Sequence, residues 1–584
     1  MEKWLIKKNK SNKTNLNLNL NPIVEKILLN RGIDTEKKVE EFLNPSYENL
    51  NTPLLMKDLI RAGNIILNHI SKKNKIAISG DYDVDGVMST TILLEGLKEL
   101  GGNVIYKIPN RYNDGYGINN RIVDECFDEE VKLIITCDNG IAAKEAVDYA
   151  NSKDIQVIVT DHHEIPLDEN SNEILPNAEA VVDPKQKNCT YPFRDLCGAG
   201  VVFKLISYLY KLKGINWERE RYLLQFVAMA TVCDVMPIVE ENRIFVKYGL
   251  QALNSSDNLG MKELIRACQI KDPIDVYHLG FILGPSINSA GRLADASKAV
   301  ELFTCNDFEK AKEISKELRE LNVKRQELTD DGFKELDNFI LNHEMDKKFP
   351  ILVLLSEDLN ESVAGIVAGR LKEKYKRPVI VLSGKETLKG SGRSIEEYNM
   401  FEKISHEKYL LEKFGGHKMA AGMSLERENL VEFIKNLNNN SDLKKEDFFS
   451  KYYIDAQAKI KDLNMDLAES INALKPFGNG NEAPVLGFKS VIIDKIKILG
   501  KNQNVLKLSL RQDENNIDAI YFSDFKSFKE KLKEGYAPSI LDELLLGKRK
   551  IFVDLIGSLD INEFNGNKYL QVKIKSIRAG RKQC

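Results

Sequence analysis

Three aspartates alternate directly after a short apolar run in the first third of the chain. Asp81, Asp83 and Asp85 occupy the segment Gly-Asp-Tyr-Asp-Val-Asp-Gly. A turn of solvated acids and an EF-hand calcium loop are the ordinary explanations for such a segment. An EF-hand requires Glu at loop position 12 and follows a helix, whereas this chain has Ile92 there and a strand pattern before the loop. Because an apolar run adjoins the acids, we expect carboxylates held together at one point.

Further acids and two histidines follow later apolar runs. Asp138 comes after Leu-Ile-Ile-Thr-Cys, Asp161, His162 and His163 come after Val-Ile-Val-Thr, and Asp234 comes after an apolar helical run. In parallel α/β sheets, ligands bind outside the carboxyl ends of the strands. At least four acids and two imidazoles are therefore expected at one edge. Unpaired, these groups would repel and be desolvated at high cost, which divalent cations relieve.

The predicted ligand set is mostly carboxylate oxygen with added histidine, which favours Mn²⁺ or Mg²⁺ over a thiolate zinc site. The eight cysteines include no Cys-x-x-Cys pair, which argues against structural zinc. Several shared carboxylates indicate two ions about 3.5–4 Å apart, the geometry that activates water and stabilises a phosphoryl transition state.

The elements that must position these residues alternate between strand and helix patterns from about residue 55 to 240. The strand patterns are Lys75–Ser79, Val104–Ile108, Leu133–Thr136, Val157–Thr160 and Ala180–Val182. Helical patterns such as Met88–Leu100 and Ala142–Ser152 lie between them. This alternation predicts a parallel sheet built of βαβ units, covered by helices on both faces.

The rest of the chain predicts further domains, giving an α/β fold class with a second α/β domain and a C-terminal OB-fold barrel. We expect a helical region with a Gly-rich break at Leu279–Leu293, a long charged helix at Asp307–His343, a domain with Gly-rich loops, and an Asn-rich linker at Asn436–Asn440. The first residues are expected to be an extension packed on the domain next to it in the chain. The predicted boundaries are 1–54, 55–240, 241–306, 307–345, 346–447 and 448–584.

Composition excludes several classes of protein. The chain has 584 residues, with 84 Lys+Arg against 87 Asp+Glu and a net charge of −3, so it is not a uniformly basic nucleic-acid coat. With 43% hydrophobic and 29% charged residues, it is neither collagen-like nor wholly disordered. No signal sequence and no apolar run near the roughly 18 residues of a membrane span are visible. We expect a soluble cytoplasmic protein with no membrane partner.

The segments DYDVDG, CDNG, TDHHE and CDVMP, in this order, resemble the four motifs of the DHH phosphoesterase superfamily. Over nearly the whole chain the sequence resembles the RecJ family of single-stranded-DNA-specific exonucleases. Segments that carry this resemblance include PNR with GYG, CGAGV, GPSINSAGRL, GIVAGRL, GSGRS, GGH with AAG, and PFGNGN. The resemblance implies a DHH domain, a DHHA1 domain joined by a long helix, and an OB-fold.

The resemblance also implies which residues act at the metal site. Two Mn²⁺ or Mg²⁺ ions would be held by Asp83, Asp85, Asp138, His162 and Asp234. Catalytic roles fall to His163, Asp161 and Asp81, with Asp81 and His163 as further ligands or orienting groups and His163 as a partner for the phosphate or the leaving oxygen.

Nucleic-acid binding is implied for a second group of residues, Arg111, Asn288, Arg292, Ser391, Arg393 and His417. Gly-Ser-Gly-Arg-Ser offers backbone N–H groups, hydroxyls and a guanidinium to a terminal phosphate, although a tight turn with a surface arginine is the ordinary alternative. At Ser286 the chain departs from the family, where Arg is common. Loss of that arginine would give Arg292 more of the phosphate contact.

By resemblance, the expected activity is 5′→3′ hydrolysis of single-stranded DNA to 5′-mononucleotides, in DNA repair and recombination. The implied partners are single-stranded DNA with a 5′ end, single-strand-binding protein and a RecQ-type helicase. Barrel residues from Lys495 to Lys582 could form a basic track for the strand. Two alternatives are a relative acting on very small substrates, disfavoured by the DYDVDG motif and the extra domain, and a non-catalytic binding member, disfavoured because the metal carboxylates are present.

Overall fold

The computed structural model describes residues 2–10, 16, 18–111, 114–564 and 566–580. Two compact units are formed, one by Leu50–Ser450 and the other by Met1–Asn49 together with Lys451–Cys584. Within the described residues, none of the helices has the length and apolar character that a membrane crossing requires.

A five-stranded parallel sheet forms the first part of the Leu50–Ser450 unit, as predicted. In spatial order its strands are Asn103–Lys107, Lys75–Ser79, Leu133–Cys137, Gln156–Thr160 and Ala180–Val182. All neighbouring pairs run parallel, and Ser79 aligns with Thr136 and Cys137 with Thr160. The carboxyl ends of the strands therefore lie at one edge.

Helices cover this sheet because its central strands are apolar on both faces. All five residues of Leu133–Cys137 are buried. The helices are Leu59–Ser71, Val84–Glu99, Asn120–Asp128, Lys144–Ser152, Gly198–Lys213 and Trp217–Cys233. Val84–Glu99 packs on both Gly198–Lys213 and Trp217–Cys233, so residues at the starts and ends of these helices meet near the same sheet edge.

The predicted Gly-rich break at Leu279–Leu293 is wrong, because the segment is helical. Leu279–Leu283 forms a π-helical turn that runs directly into the helix Gly284–Leu293. The glycines allow close packing instead: a Cβ on Gly284 would lie 2.4 Å from Cys233 Sγ, and one on Gly291 would lie 2.4 Å from a backbone oxygen of Tyr82. The neighbouring helices are Glu240–Asn254, Leu259–Ala267, Val276–His278 and Ser297–Thr304.

The predicted long helix spans Phe308–His343, 36 residues, and Asp307 caps its start by accepting a hydrogen bond from the Lys310 N–H at 3.0 Å. It packs on Gly284–Leu293 and also on the later helix Glu361–Tyr375. At about 1.5 Å per residue, it is long enough to connect the two α/β parts of this unit.

A second, mixed sheet follows the long helix. Its strands, in spatial order, are Lys413–His417, Ala420–Glu426, Thr387–Arg393, Val379–Ser383 and Leu352–Leu355, and its helices are Met345–Lys348, Glu361–Tyr375, Met400–His406 and Leu430–Asn439. Only the pair Leu352–Leu355 and Val379–Ser383 is parallel among these described strands.

Two further predictions fail in this domain. The Gly-rich segments are strands rather than loops. Glycine is present there because the neighbouring strand comes very close: a Cβ on Gly390 would lie 2.4 Å from the Val381 carbonyl oxygen. The Asn-rich segment ends a helix rather than forming a linker. Its asparagines hold the helix to the domain, since Asn438 Oδ1 accepts a hydrogen bond from the Ile351 N–H and Asn436 Nδ2 donates to Glu407.

The C-terminal residues form the predicted small barrel. Its strands, in spatial order, are Ala456–Gln457, Leu486–Leu499, Val505–Gln512, Asn515–Tyr521, Asn567–Ala579 and Ile551–Phe564. The long strand Leu486–Leu499 pairs with both Val505–Gln512 and Ile551–Phe564, which closes the barrel as in an OB-fold. Its helices are Met465–Asn472, Phe525–Leu532 and Pro538–Leu545.

The N-terminal residues pack on this barrel, so the prediction that they pack on the domain next to them in the chain is wrong. The strand Glu2–Ile6 pairs with Ser450–Ile454. The helix Pro22–Asn30 places Val24, Ile27 and Leu28 in the barrel's hydrophobic core, and a second helix spans Glu36–Leu43. Contacts between such distant parts of the chain leave no local pattern in the sequence.

Candidate metal centre and arginine pocket

The predicted acids and histidines meet at the carboxyl edge of the parallel sheet. Asp81 follows the strand Lys75–Ser79, Asp83 caps the helix Val84–Glu99, and Asp85 lies in its first turn. The other predicted ligands, Asp138, His162 and Asp234, come from two strand ends and the end of the helix Trp217–Cys233.

His162 and Asp138 are at the middle of this cluster. The Nε2 atom of His162 lies 3.0 Å from Asp138 Oδ1, 3.5 Å from Asp85 Oδ2 and 3.7 Å from Asp234 Oδ2. Oxygens of Asp81, Asp83 and Asp138 lie within 4.8 Å of one another. Two groups of possible ligands therefore share Asp138, which is the arrangement expected for a pair of ions.

Several of these atoms are buried without a hydrogen bond. Among the described residues, Asp81 Oδ2, Asp138 Oδ1 and both ring nitrogens of His162 make no hydrogen bond, and the 3.0 Å approach of His162 Nε2 to Asp138 Oδ1 lacks hydrogen-bond geometry. A buried polar atom left in this way costs about 1–3 kcal/mol, and more when it is charged. Carboxylate oxygens with one imidazole are suitable ligands for Mn²⁺ or Mg²⁺. The residues present therefore fit two divalent cations.

The electrostatics of the cluster point to the same conclusion. Burial, together with the charges of Asp85 and Asp83, raises the pKa of Asp138 well above its usual value. Burial and the Asp85 charge raise the pKa of Asp234 to about 8. The carboxylates thus destabilise one another's charged forms, and nearby cations would reverse that effect.

Asp85 is held by the start of a helix. Its two oxygens accept hydrogen bonds from the N–H groups of Gly198, at 2.7 Å, and Ala199, at 2.8 Å, where the helix Gly198–Lys213 begins. A Cβ on Gly198 would lie 2.7 Å from Asp138 Cβ. The segment Cys-Gly-Ala-Gly-Val is recognisable in the sequence, but this role is not, because the contact joins distant parts of the chain.

Asp161 positions the two histidines. Its Oδ1 accepts hydrogen bonds from His163 Nδ1 and from the His162 N–H, both at 2.7 Å, and its Oδ2 accepts one from the Ile141 N–H at 2.9 Å. Burial opposes ionisation, but the bond and charge of His163 outweigh it and lower the pKa of Asp161. Burial likewise opposes the charge on His163, but Asp161 raises the pKa of His163 to about 9.

Two buried residues at this edge were missed by the sequence analysis. Asn139 donates from Nδ2 to the carbonyls of Ser79, at 3.0 Å, and Cys137, at 2.9 Å, and so ties two strand ends together. Asp183 directly follows the strand Ala180–Val182, and burial raises its pKa to about 8. The rule that located the other acids, a carboxylate after an apolar run, would also have found Asp183.

A cavity lies next to this cluster of acids and histidines, and we call it the arginine pocket. Arg111, Arg292, Ser391 and Arg393 all line it. Arg393 Nη1 donates to Ser391 Oγ at 2.7 Å, and Arg292 Nη1 donates to the Ser362 carbonyl at 2.7 Å. These bonds fix the guanidinium groups in place without neutralising their charge.

The arginines of this pocket disfavour one another's charge. Burial lowers the pKa of Arg292 to about 10, and the charges of Arg111, Arg325 and Arg393 add to the effect. Burial and the charge of Arg111 also lower the pKa of Arg393. Guanidinium groups gathered in this way are suited to bind a phosphate. Gly365 provides the space, because a Cβ there would lie 2.7 Å from Arg393 Nη2.

The remaining predicted residues have different surroundings. Asn288 Oδ1 accepts a hydrogen bond from the Val84 N–H at 3.1 Å, so it supports the metal-binding segment, and DNA binding by it stays a prediction. His417 lines a cavity shared with Asp161 and His163. Ser286 is fully buried and accepts a hydrogen bond from Asn322 in the long helix, outside the set of residues that line the arginine pocket.

Four of the basic barrel residues proposed for the track are ion-paired. Lys507 pairs with Asp518 at 2.7 Å, Lys573 with Asp560 at 2.9 Å, Arg511 with Asp494 at 2.9 Å and Arg578 with Asp554 at 3.2 Å. A basic track along the barrel stays a prediction, and Arg581 and Lys582 lie outside the described residues.

Comparison with family models defines the class of protein. The model described as "DHH family, N-terminal domain" matches residues 75–231, the DHHA1 domain matches 347–440 and the RecJ OB domain matches 454–576. The parallel sheet, its metal-ligand cluster and the second α/β domain are therefore those of a DHH-type phosphoesterase.

Individual relatives narrow this class. The single-stranded-DNA-specific exonuclease RecJ of Bacillus subtilis is 34% identical over 96% of this chain and 68% of its own length. The chain belongs to the RecJ family. Two crystal structures of RecJ from Thermus thermophilus are similar to it, and each match covers 96% of this chain. The Mn²⁺ complex has a TM-score of 0.79 at 25% identity, with 76% of that chain covered. The Mg²⁺ complex has a TM-score of 0.74 at 24% identity, with 75% of that chain covered.

Proposed function

We propose that this protein is a 5′→3′ exonuclease specific for single-stranded DNA, which releases 5′-mononucleotides by hydrolysis with two divalent cations. The observation that carries the proposal is the pairing of a buried cluster of unsatisfied ligand atoms with an adjacent arginine pocket. The activity named for the RecJ relatives supports the choice of substrate.

The predicted metal ligands form three groups whose ligand atoms lie close together. Asp81, Asp83 and Asp138 are one, Asp85, His162 and Asp234 are another, and a third, made of Asp138, His162 and His163, overlaps both. When bound there, Mn²⁺ or Mg²⁺ ions would activate water and neutralise charge on the scissile phosphate. The chain's own part is to fix these ligands, and the amide groups of Gly198 and Ala199 do so for Asp85.

His163 is placed to act on the substrate itself. Its side chain is 40% exposed, and Asp161 holds its Nδ1. Without bound ions, Asp161 raises the pKa of His163 to about 9, which favours the protonated ring. We infer that it donates a hydrogen bond to the scissile phosphate or a proton to the leaving oxygen.

In this proposal the arginine pocket explains why degradation starts at the 5′ end of the strand. A terminal 5′-phosphate bound by Arg111, Arg292 and Arg393 would leave the next phosphate of the strand at the metal centre. Ser391 and His417 would contribute polar contacts on the two sides of this path. Hydrolysis at that next phosphate releases one nucleotide with its 5′-phosphate.

The wider cellular role is also part of the proposal. The family resemblance supports work in DNA repair and recombination in the cytoplasm, with single-strand-binding protein and a RecQ-type helicase as partners. The RecJ OB domain supports a second contact with the strand. Co-purification of the full chain with each partner, with and without single-stranded DNA, tests these interactions directly.

The activity is tested on three DNA substrates: a 5′-labelled single strand, a 3′-labelled copy and a blunt duplex, each with Mn²⁺ or EDTA. Early labelled mononucleotide from the first, gradual shortening of the second, and an uncut duplex are expected with Mn²⁺ only. The Asp138→Asn protein serves as the control for contaminating nucleases. Turnover of a dinucleotide with no action on long strands would instead indicate a small-substrate phosphodiesterase.

A further inference from the structure

Tyr116 borders two cavities of the Leu50–Ser450 unit, which we call the catalytic unit. It lines the arginine pocket together with Arg111 and Arg393, and it also lines the cavity that contains His163 and His417. Its side chain is 50% exposed although it lies between two groups of buried charges. Its position therefore separates the predicted phosphate site from the metal centre.

The ring of Tyr116 belongs to a continuous row of side chains. It meets the Tyr82 ring edge-on, with centroids 6.4 Å apart, and the His163 ring edge-on at 5.6 Å. At the other end of the row, the Arg111 guanidinium lies 5.0 Å from the centroid of Tyr82. The row runs from a phosphate-binding arginine to the histidine of the metal centre.

The hydroxyl and backbone of this segment are attached to the metal ligands. The Tyr116 hydroxyl donates to the backbone carbonyl of Asp138 and lies 3.2 Å from His163 Nδ1. The following N–H, that of Gly117, donates to Asp81 Oδ1 at 3.4 Å. Gly117 has a φ of 72°, and a Cβ there would lie 3.0 Å from Asn139. The ring is thus held in place by the same residues that hold the metal site.

We propose that Tyr116 is a specificity-determining residue, which forms the wall between the arginine pocket and the metal centre and thereby limits the product to a single nucleotide. This inference rests on the proposed exonuclease activity. A strand whose 5′-phosphate sits in the arginine pocket must pass this side chain to reach the metal ligands. Because the ring is anchored on both sides, it sets which phosphate arrives there.

The test compares the products of two variants on an unlabelled single strand with Mn²⁺, analysed by mass spectrometry. Tyr116→Ala removes the wall, so the share of dinucleotides and longer products is expected to rise about tenfold, the size of effect that one pocket contact gives. Tyr116→Phe keeps the ring and loses only the hydroxyl anchor. It is expected to keep releasing mononucleotides, with a lower kcat and an unchanged KM.

Controls separate this proposal from a folding defect and from failure of the proposed function. Tyr277→Ala removes another half-exposed tyrosine of the same unit, at 59% exposure, and should leave product length unchanged. Each variant should show the wild-type rise in Tm with Mn²⁺. Mononucleotides alone from a folded Tyr116→Ala protein would overturn the inference. A wild-type protein that leaves single strands uncut would contradict the activity itself.

Discussion

The candidate site and the barrel arrange their charges differently. At the candidate site, groups of one sign lie side by side: carboxylates around Asp138 and guanidinium groups around Arg292. In the barrel, Lys507, Lys573 and Arg578 each lie beside an acid. Like charges brought together during folding lower the stability of the folded state, and binding of a ligand of opposite charge offsets this loss. The difference indicates that the candidate site requires ligands of opposite charge, whereas these three barrel charges are already compensated by acids.

The largest effect is expected where the like charges are most buried. Asp138→Asn should reduce DNA hydrolysis by about 10³-fold, comparable to loss of a central transition-state contact. In EDTA the variant should be more stable than the wild type, because one buried negative charge is gone. Release of mononucleotide from a labelled single strand checks the first point. Thermal melts with and without Mn²⁺ check the second, since the wild type should gain more Tm from the ion than the variant. Retained activity would remove Asp138 from the metal centre.

A smaller loss is expected when a ligand is displaced rather than removed. Gly198→Ala would place a Cβ 2.7 Å from Asp138 Cβ and should lower kcat by about 10²-fold. Gly200→Ala, two residues later in the same helix, is the matched control, because its Cβ would make only an ordinary contact at 3.4 Å. Equal activity of the two variants would show that the approach of Gly198 to the cluster does not limit catalysis.

The arginine pocket provides the next comparison. Arg393→Ala should lower kcat/KM about 10–100-fold on a strand with a 5′-phosphate, which is the range for a hydrogen bond to a charged group. A strand with a 5′-hydroxyl should be much less affected, so the preference for the phosphate should fall. Rates on the two strands, measured side by side, check this. An unchanged preference would place the terminal phosphate elsewhere.

The smallest effect is expected in the barrel. Lys573→Ala removes a half-exposed partner of Asp560, and exposed ion pairs contribute only about 0–1 kcal/mol. Urea unfolding and single-strand binding should both stay close to the wild type. A loss of binding as large as that of Arg393→Ala would show that the barrel's paired charges exchange their partners for phosphates, and the contrast between the two units would fail.

The parallel sheet and its acids could be predicted because their pattern is local. A strand followed by a carboxylate is visible within a few residues, and Asp81 to Asp85 and Asp138 were found in this way. The strands that contain Gly390 and Gly415 were missed, since a glycine chosen for close packing has the same local pattern as a glycine in a loop. The hydrogen bond from the Gly198 N–H to Asp85 could not be predicted, because it joins residues far apart in the chain.

The packing of the N-terminal helix on the C-terminal barrel has a consequence for how the chain is made. Val24, Ile27 and Leu28 are synthesised long before the barrel strands that bury them. Throughout synthesis this apolar helix face has no native partner to cover it, a situation that favours aggregation and a need for chaperones. A shortened version of the protein must therefore lose both ends together, because removing either one exposes the core of the other.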